Sequence, residues 1–327
     1  MKTLTILVPN GQNNLSSIVG TYKIFNRANA YYSKSGKAPL FEITLAGTSK
    51  QVDFHESLFT VNVQKNIEEI ALSDLIIIPS LNHNYEEAIN ENKELIAWIR
   101  LQYKRGAEIA SICTGAFILA ATGILDGKRC STHWSVSKEF SSIYPKVDLQ
   151  TDQLITDENG IYTNGGAFSF LNLIIYLVEK FYGREIALLC AKVFQIDISR
   201  NLQAEFSIFK GQKQHDDESI KEAQKFLEEN YYQKLSIEAL ANKLSIGRRN
   251  FDRRFKKATS FTPIEYLQHV KVEAAKKAFE NTRQNISEVM YEVGYNDAKA
   301  FREVFSKLTG LSPLDYRMKY NKERALI

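Results

Sequence analysis

Short apolar runs punctuate the first two thirds of the chain: Leu4 to Val8, Phe41 to Leu45, Leu75 to Ile78 and Glu108 to Ile112. Each is too short for a helix and predicts a buried strand. Between them, Ser16 to Tyr32 and Glu86 to Tyr103 repeat their apolar residues every three or four positions and predict helices. Strands alternating with helices predict an α/β domain, a doubly wound and mostly parallel sheet covered on both faces. Such sheets bind ligands at the C-terminal ends of their strands.

The last third keeps only the helical period and adds a repeat. A shift of 50 residues pairs Glu238 with Glu288, Leu240 with Met290, Phe251 with Phe301 and Phe255 with Phe305, then Lys257 with Lys307, Thr259 with Thr309, Pro263 with Pro313 and Tyr266 with Tyr316. Each copy predicts a short amphipathic helix (Ile237 to Leu244; Ile286 to Val293), a tight break, and a longer helix with an i, i+4 Phe pair. That is helix-turn-helix grammar, so the region is predicted all-α with two such motifs. Asp297 is placed to cap the second long helix, Gly310 with Pro313 to end it, and Pro263 to start a helix to about Phe279 that joins the copies.

Charge supports the same division. The net charge is +4, but residues 219–327 hold 21 Lys+Arg against 14 Asp+Glu, leaving a slightly acidic remainder. A basic domain beside an acidic one points to an anionic partner. The polar stretch Phe209 to Asp217 reads as the junction, giving domains 1–209 and 219–327 with a linker at 210–218; whether Gln203 to Phe209 belongs to the first domain or acts as a hinge stays open. With 44% hydrophobic and 24% charged residues the chain is not a low-complexity polymer. Three cysteines (Cys113, Cys130, Cys190) make no disulfide framework and fit a reducing compartment. The apolar start, Met1 to Pro9, is too short for a secretory leader, and the best membrane candidate, Phe170 to Val178, is far below a span of about 20 residues. A cytoplasmic location is expected.

If Phe251 and Phe255 face the core, Arg248, Arg249, Asp252 and Arg253 face outward, where they can enter a major groove. Arginine reaches guanine O6 and N7 with two hydrogen bonds, and an acid accepts from cytosine N4. The second copy presents Lys299, Arg302 and Glu303, with Asn296 and Ala298 near the helix start, while Lys256, Lys257 and Lys307 suit phosphates. The stretches Leu235 to Ala241, Arg253 to Lys257, Ile286 to Val289, Val293 to Tyr295, Phe301 to Phe305 and Thr309 to Arg317 make this region similar to the AraC/XylS DNA-binding domain. The resemblance implies one subunit placing two recognition helices in successive major grooves of double-stranded DNA, about 34 Å apart. Glu303 stands where many members place an arginine.

In the first domain, Cys113 falls between a strand and a small-residue helix start, the setting of a nucleophile elbow, where a helix N-terminus favours a thiolate. His133, about 20 residues on, is a candidate partner imidazole. A packing role for Cys113 remains the plainer reading, and Cys130 and Cys190 look like packing residues. His55, His83, His215 and His269 have no metal-ligand spacing, so no metal or cofactor is expected.

Cys113 to Phe117, Ala120 to Lys128, Thr132 to Trp134 and Tyr162 to Gly166 make residues 2–209 similar to the ThiJ/PfpI-type, glutamine-amidotransferase-like domain, in particular the version fused to AraC-type regulators, the GlxA-type regulators. The resemblance implies a flavodoxin-like sheet and, in enzymatic members, an acid near the first helix that pairs with the elbow cysteine. This chain has no Asp or Glu before Glu42, and the region Asn10 to Gly20 offers only Asn, Gln and Ser. Thr21 and Asn172 replace a frequent proline and aspartate. The expectation is therefore a non-enzymatic, ligand-responsive transcription regulator, with the first loop (Gly11 to Ser16, including Asn14), Cys113, Thr114, His133 and Asn164 lining a pocket for a small-molecule effector. Homodimerisation and contact with RNA polymerase are further expectations, and no membrane partner is expected. The alternatives are a cysteine-dependent hydrolase or amidase, or a thiol redox sensor, tethered to DNA.

Overall fold

The computed structural model describes residues 1–321 except Gln12, Ser35, His83, 199–202, Lys210 and Gln214. Gln12 of the expected pocket loop, His83, Lys210 and Gln214 of the expected linker, and the end of the predicted second domain thus lie outside the described residues. The chain divides into two units, Met1–Gln203 and Ala204–Ile327.

The first unit runs β1 (Lys2–Leu7), α1 (Leu15–Ser33), β2 (Phe41–Gly47), β3 (Gln51–Phe54), β4 (Phe59–Asn62), β5 (Lys65–Asn66), β6 (Leu75–Ile78), α2 (Tyr85–Glu91), α3 (Lys93–Lys104) and β7 (Glu108–Ile112). It continues with α4 (Ala116–Ala121), β8 (Arg129–Cys130), α5 (Ser137–Ile143), β9 (Asp148–Leu149), β10 (Ile155–Asp157), β11 (Ile161–Asn164), α6 (Phe170–Tyr182) and α7 (Arg184–Phe194). The main sheet has the order β10-β11-β7-β6-β1-β2-β5 and is parallel except where β10 meets β11. Its five central strands, counted along the chain, lie in the order 2-1-3-4-5, the flavodoxin-like arrangement. Period-two burial explains the layers. Leu75 and Ile77 join the core under α1, α6 and α7, whereas Ile76 and Ile78 join the core under α2, α3 and α4. Helix α6, the apolar stretch weighed as a membrane candidate, is a buried element of the first core. Among the described residues, no helix is long and apolar enough to cross a membrane.

The helix expected from Glu86 to Tyr103 is two helices, broken at Asn92. The Asn92 side chain is the cause: it donates to the Ala88 carbonyl (2.8 Å) and the Asn10 carbonyl (3.1 Å) and accepts from the Asn10 N–H (2.8 Å). Such local side-chain bonds compete with a continuing helix, and here they fasten the loop after β1.

The second unit contains α8 (Glu218–Asn230), α9 (Ile237–Lys243), α10 (Arg248–Thr259), α11 (Pro263–Asn281), α12 (Ile286–Glu292), α13 (Ala298–Thr309) and α14 (Pro313–Tyr320). The boundary lies at 203/204, six residues before the expected one, because the following segment packs on α11. Phe209 stacks on His269 with ring centroids 4.8 Å apart, and Lys276 donates to the Ser207 carbonyl at 2.6 Å. The expected linker is also structured at its end, where Asp217 caps α8 and receives two hydrogen bonds from Arg254 (2.9 and 2.6 Å).

The repeat is visible atom by atom. The hydroxyls of Thr259 and Thr309 donate to Phe255 O and Phe305 O (2.8 Å each) and accept from the N–H of Phe261 and Leu311 (3.2 Å each). Tyr266 and Tyr316 donate to Glu228 and Glu280 (2.6 Å each). The offset of 50 holds for α10 and α13 but is 49 for α9 and α12, whose caps are Ser236 and Asn285. The structural partners of Leu240 and Glu238 are therefore Val289 and Ser287, a correction to the pairings with Met290 and Glu288. The second turn carries one extra residue, between the positive-φ residue Gly294 (φ 76°), counterpart of Ser245 (φ 55°), and the capping Asp297.

Candidate nucleic-acid interface and elbow site

Both long helices bury one stripe and expose another. Phe251, Phe255 and Thr259 are buried on α10, as are Phe301, Phe305 and Thr309 on α13. On α10 Arg249, Arg253, Lys256 and Lys257 are exposed, while Arg248 and Asp252 are half-buried and bonded to each other, Arg248 Nε donating to both carboxylate oxygens at 3.0 and 2.9 Å. Glu238 approaches the same guanidinium at 3.8 Å. Arg253 donates to Asn250 at 2.8 Å, placing an exposed amide, overlooked in the sequence, beside a guanidinium. Asn250 had a readable signal, since an amide makes two hydrogen bonds to adenine.

On α13 Lys299, Arg302, Glu303 and Lys307 are exposed, with Lys299 and Glu303 4.0 Å apart. At the offset of 50, Arg302 occupies the place of Asp252 and Glu303 that of Arg253. Arg249 and Arg302 have no hydrogen bond or ion pair among the described residues. Lys256 and Lys307, from different copies, both help to hold the Glu265 carboxyl below the usual range, after the larger effect of its bonds from Thr262. Each exposed face thus carries lysines and an arginine to which no described residue is bonded.

In the first unit, Cys113 follows β7 at φ 51°, a left-handed conformation that is strained for any residue with a Cβ. The chain holds it there from three sides. Its N–H donates to Asn164 Oδ1 at 3.0 Å, its carbonyl accepts from Thr132 Oγ1 at 3.0 Å, and Gly115 lies so close to the Pro79 carbonyl that no side chain fits. The backbone is an elbow, as expected, but the thiol is 3% exposed and its pKa is raised. Burial is the main cause, only partly offset by hydrogen bonds from the Ser80 hydroxyl, the Thr114 N–H and hydroxyl and the Gly166 backbone. Among the described residues, neither a carboxylate nor an imidazole hydrogen-bonds to it. The expected thiolate is not favoured here, because desolvation outweighs the helix N-terminus.

His133 sits in the next loop, but its Nδ1 accepts from the Ser135 N–H (3.2 Å), capping a short turn rather than meeting Cys113. Burial lowers its pKa. Thr114 Oγ1 is occupied by the Leu81 carbonyl (2.7 Å), the Leu81 N–H (2.9 Å) and Ser80 (2.9 Å). Asn14 caps α1. The structure thus gathers Cys113, Thr114 and Asn164 into one network in which their polar atoms are largely satisfied by the protein itself. Asn13, within the expected pocket loop Gly11 to Ser16, is fully buried, and its Oδ1 has no hydrogen-bond partner among the described residues. Among the described residues, no group of three or more His, Cys, Asp or Glu is placed to hold a metal ion.

Residues 13–180 match the DJ-1/PfpI family, and residues 240–319 match a helix-turn-helix domain. The HTH-type transcriptional regulator GbdR of Pseudomonas aeruginosa is 24% identical over 226 residues, 69% of this chain and 61% of that protein, so the chain spans about three fifths of this relative's length. The HTH-type transcriptional regulator CdhR of Pseudomonas aeruginosa is 21% identical over 267 residues, 78% of this chain and 75% of its own. Drosophila melanogaster DJ-1beta shares the fold of the first unit, with a TM-score of 0.51 and 16% identity over 60% of this chain and 98% of that one. The chain belongs to the DJ-1/PfpI family and carries, beyond the residues of that match, a helix-turn-helix domain.

Proposed function

We propose that the protein is a cytoplasmic, sequence-specific DNA-binding transcription regulator whose α/β unit receives a small-molecule signal. One observation carries this reading: the doubled helix-turn-helix motif exposes two faces whose Arg249 and Arg302 are bonded to no partner among the described residues. The names of the relatives GbdR and CdhR agree with it. The site residues divide accordingly, with Arg249, Arg253 and Arg302 reading bases and Lys256, Lys257 and Lys307 meeting phosphates. Arg248 and Asp252 act as a pair, each limiting the other's reach.

The α/β unit binds rather than catalyses. A buried Cys113 with a raised pKa and, among the described residues, no acid or imidazole bonded to it is a poor nucleophile and a poor peroxide sensor. A ligand acts by favouring one state of the protein over another, because equal affinity for both shifts nothing. The test is selection of genomic fragments with the purified chain, followed by titration of the best fragment at several salt concentrations. Two short boxes about one helical turn apart, bound at least 10³-fold more tightly than random DNA, are expected. Salt-sensitive binding without sequence preference overturns the reading. Homodimerisation, which would give avidity for paired sites, is checked by sedimentation of the full chain, and a monomer at tens of micromolar overturns it.

A further inference from the structure

Two apolar cores lie in the helical unit, one around Phe251, Phe255 and Tyr266 and one around Phe301, Phe305 and Tyr316. Each belongs to one helix-turn-helix copy, and α11 runs through both. Tyr231, just past α8, also packs on the second core. The segment that enters this unit, Ala204 to Phe209, adds a link outside the helices, with one aromatic ring on each copy. At its far end Phe209 packs on the first core, its ring centroid 4.8 Å from His269, 5.0 Å from Tyr266 and 6.0 Å from Phe261. At its near end the turn Ala204–Phe206 lies against α13, and the Phe206 ring is 6.5 Å from Tyr320 and 5.5 Å from Lys319 Nζ.

Between the rings, an ion pair on α11 grips the backbone of the segment. Lys276 donates to the Ser207 carbonyl (2.6 Å) and to Glu273 (3.0 Å), whose same oxygen accepts from the Phe209 N–H (3.2 Å). These side chains are only 7% and 15% exposed, so opening the grip leaves charges unpaired away from water. The Phe206 end is looser, since that residue is 40% exposed, and a contact so open yields first. The chain before it has no slack. Gln203 is held in the α/β unit by its N–H on the Asp152 carbonyl (3.0 Å) and its amide on the carbonyls of Thr151 (2.8 Å) and Thr132 (3.0 Å). Thr132 also donates to the Cys113 carbonyl, so one loop meets both the elbow and the root of the segment.

We propose that residues 204–209 form a splint that fixes the angle between the two recognition helices, and that the α/β unit regulates DNA recognition by drawing the Phe206 end off α14. A movement of the Thr132 loop shifts Gln203, and the next residues that can yield are those of the splint. Its docked and undocked states are the two arrangements that such coupling requires. The mechanical claim stands without DNA; the regulatory one rests on the function proposed above.

Nitroxide labels on Asn242→Cys of α9 and Ser287→Cys of α12, both exposed positions, report the distance between the copies in the full chain by pulsed electron resonance, the three native cysteines being buried. Phe206→Ala is expected to shift or widen that distance distribution by about 2 Å or more, the scale of a helix shift at an interface. Ile208→Ala, in the same segment and 51% exposed, is expected to leave it unchanged. An unchanged distribution in folded Phe206→Ala, or an equal change in Ile208→Ala, overturns the splint. Phe206→Ser serves in the same measurement if the alanine variant does not fold. On the selected DNA fragment, one base pair inserted between the boxes turns them by about a tenth of a helical turn. The wild type is expected to lose affinity by about tenfold or more, and Phe206→Ala by about threefold or less. Equal losses overturn the regulatory claim. A chain that finds no operator removes that claim with the function it rests on, while the distances still decide the splint.

Discussion

The two helix-turn-helix copies share a skeleton and differ in their faces. Both bury a Phe pair, close the long helix with a threonine bonded to backbone on two sides, and anchor the next helix through a tyrosine on a glutamate. On the outer faces, Arg249, Asp252 and Arg253 of the first copy stand opposite Lys299, Arg302 and Glu303 of the second. The charge pattern is shifted by about one turn, so the free arginine of the second copy lies nearer the middle of its helix. Duplication has kept the packing, where volume and hydrogen bonds constrain each residue, and changed the face, where only a partner constrains it.

The largest expected effect tests the shared skeleton. Phe255→Ala and Phe305→Ala are each expected to cost about 3–5 kcal/mol in urea unfolding followed by circular dichroism, because each ring is fully buried among aromatic neighbours. Losses differing by more than about 2 kcal/mol would break the equivalence of the copies.

A second effect separates the copies. His269 is held down to about 4 by burial beneath Phe209 and Phe261, whereas the second copy has Lys319 at that place. The unfolded chain takes up this proton near pH 6.5 and the folded chain only near 4, so stability falls as pH drops through that window, by about 3 kcal/mol. Above pH 6.5 the contribution is fully present. Stability measured from pH 7.5 to 4 is expected to lose this slope in His269→Phe, and an unchanged slope would assign it elsewhere.

The faces are compared through DNA. Arg249→Ala and Arg302→Ala are each expected to reduce discrimination by about 1–3 kcal/mol, at different boxes of the operator, in competition binding. Equal losses on random DNA would make them phosphate contacts. Lys256→Ala, Lys257→Ala and Lys307→Ala are expected to weaken all DNA alike and lower the salt slope by about 1 each. The smallest effect returns to the skeleton: Thr259→Ala and Thr309→Ala are expected to cost about 1 kcal/mol each in the same unfolding assay.

The recognition helices were legible because a doubled motif with an i, i+4 Phe pair leaves few other arrangements, and the sheet was legible from runs such as Leu75–Ile78. The elbow was legible as backbone but not as chemistry. Position after a strand placed Cys113 correctly, yet the state of its thiol depends on how deeply Ser80, Thr114 and Gly166 enclose it. The break at Asn92 was legible only in part, since one of its bonds is local, to the Ala88 carbonyl, and the two others reach Asn10, 82 positions away.

The sequence alone determined the period of each segment, the repeat, the capping residues and the excess of positive charge on the last third. These are local properties, set by what a side chain permits its own backbone and its neighbours within a turn. Tertiary structure decided which polar groups remain free to meet a partner. Arg254 is absorbed by Asp217 and Arg248 by Asp252, while Arg249 and Arg302 are left uncommitted among the described residues. Desolvation and pairing depend on everything that surrounds a group in space, and an arginine on one of these helices becomes a structural clamp or stays an exposed cation according to what the fold brings beside it.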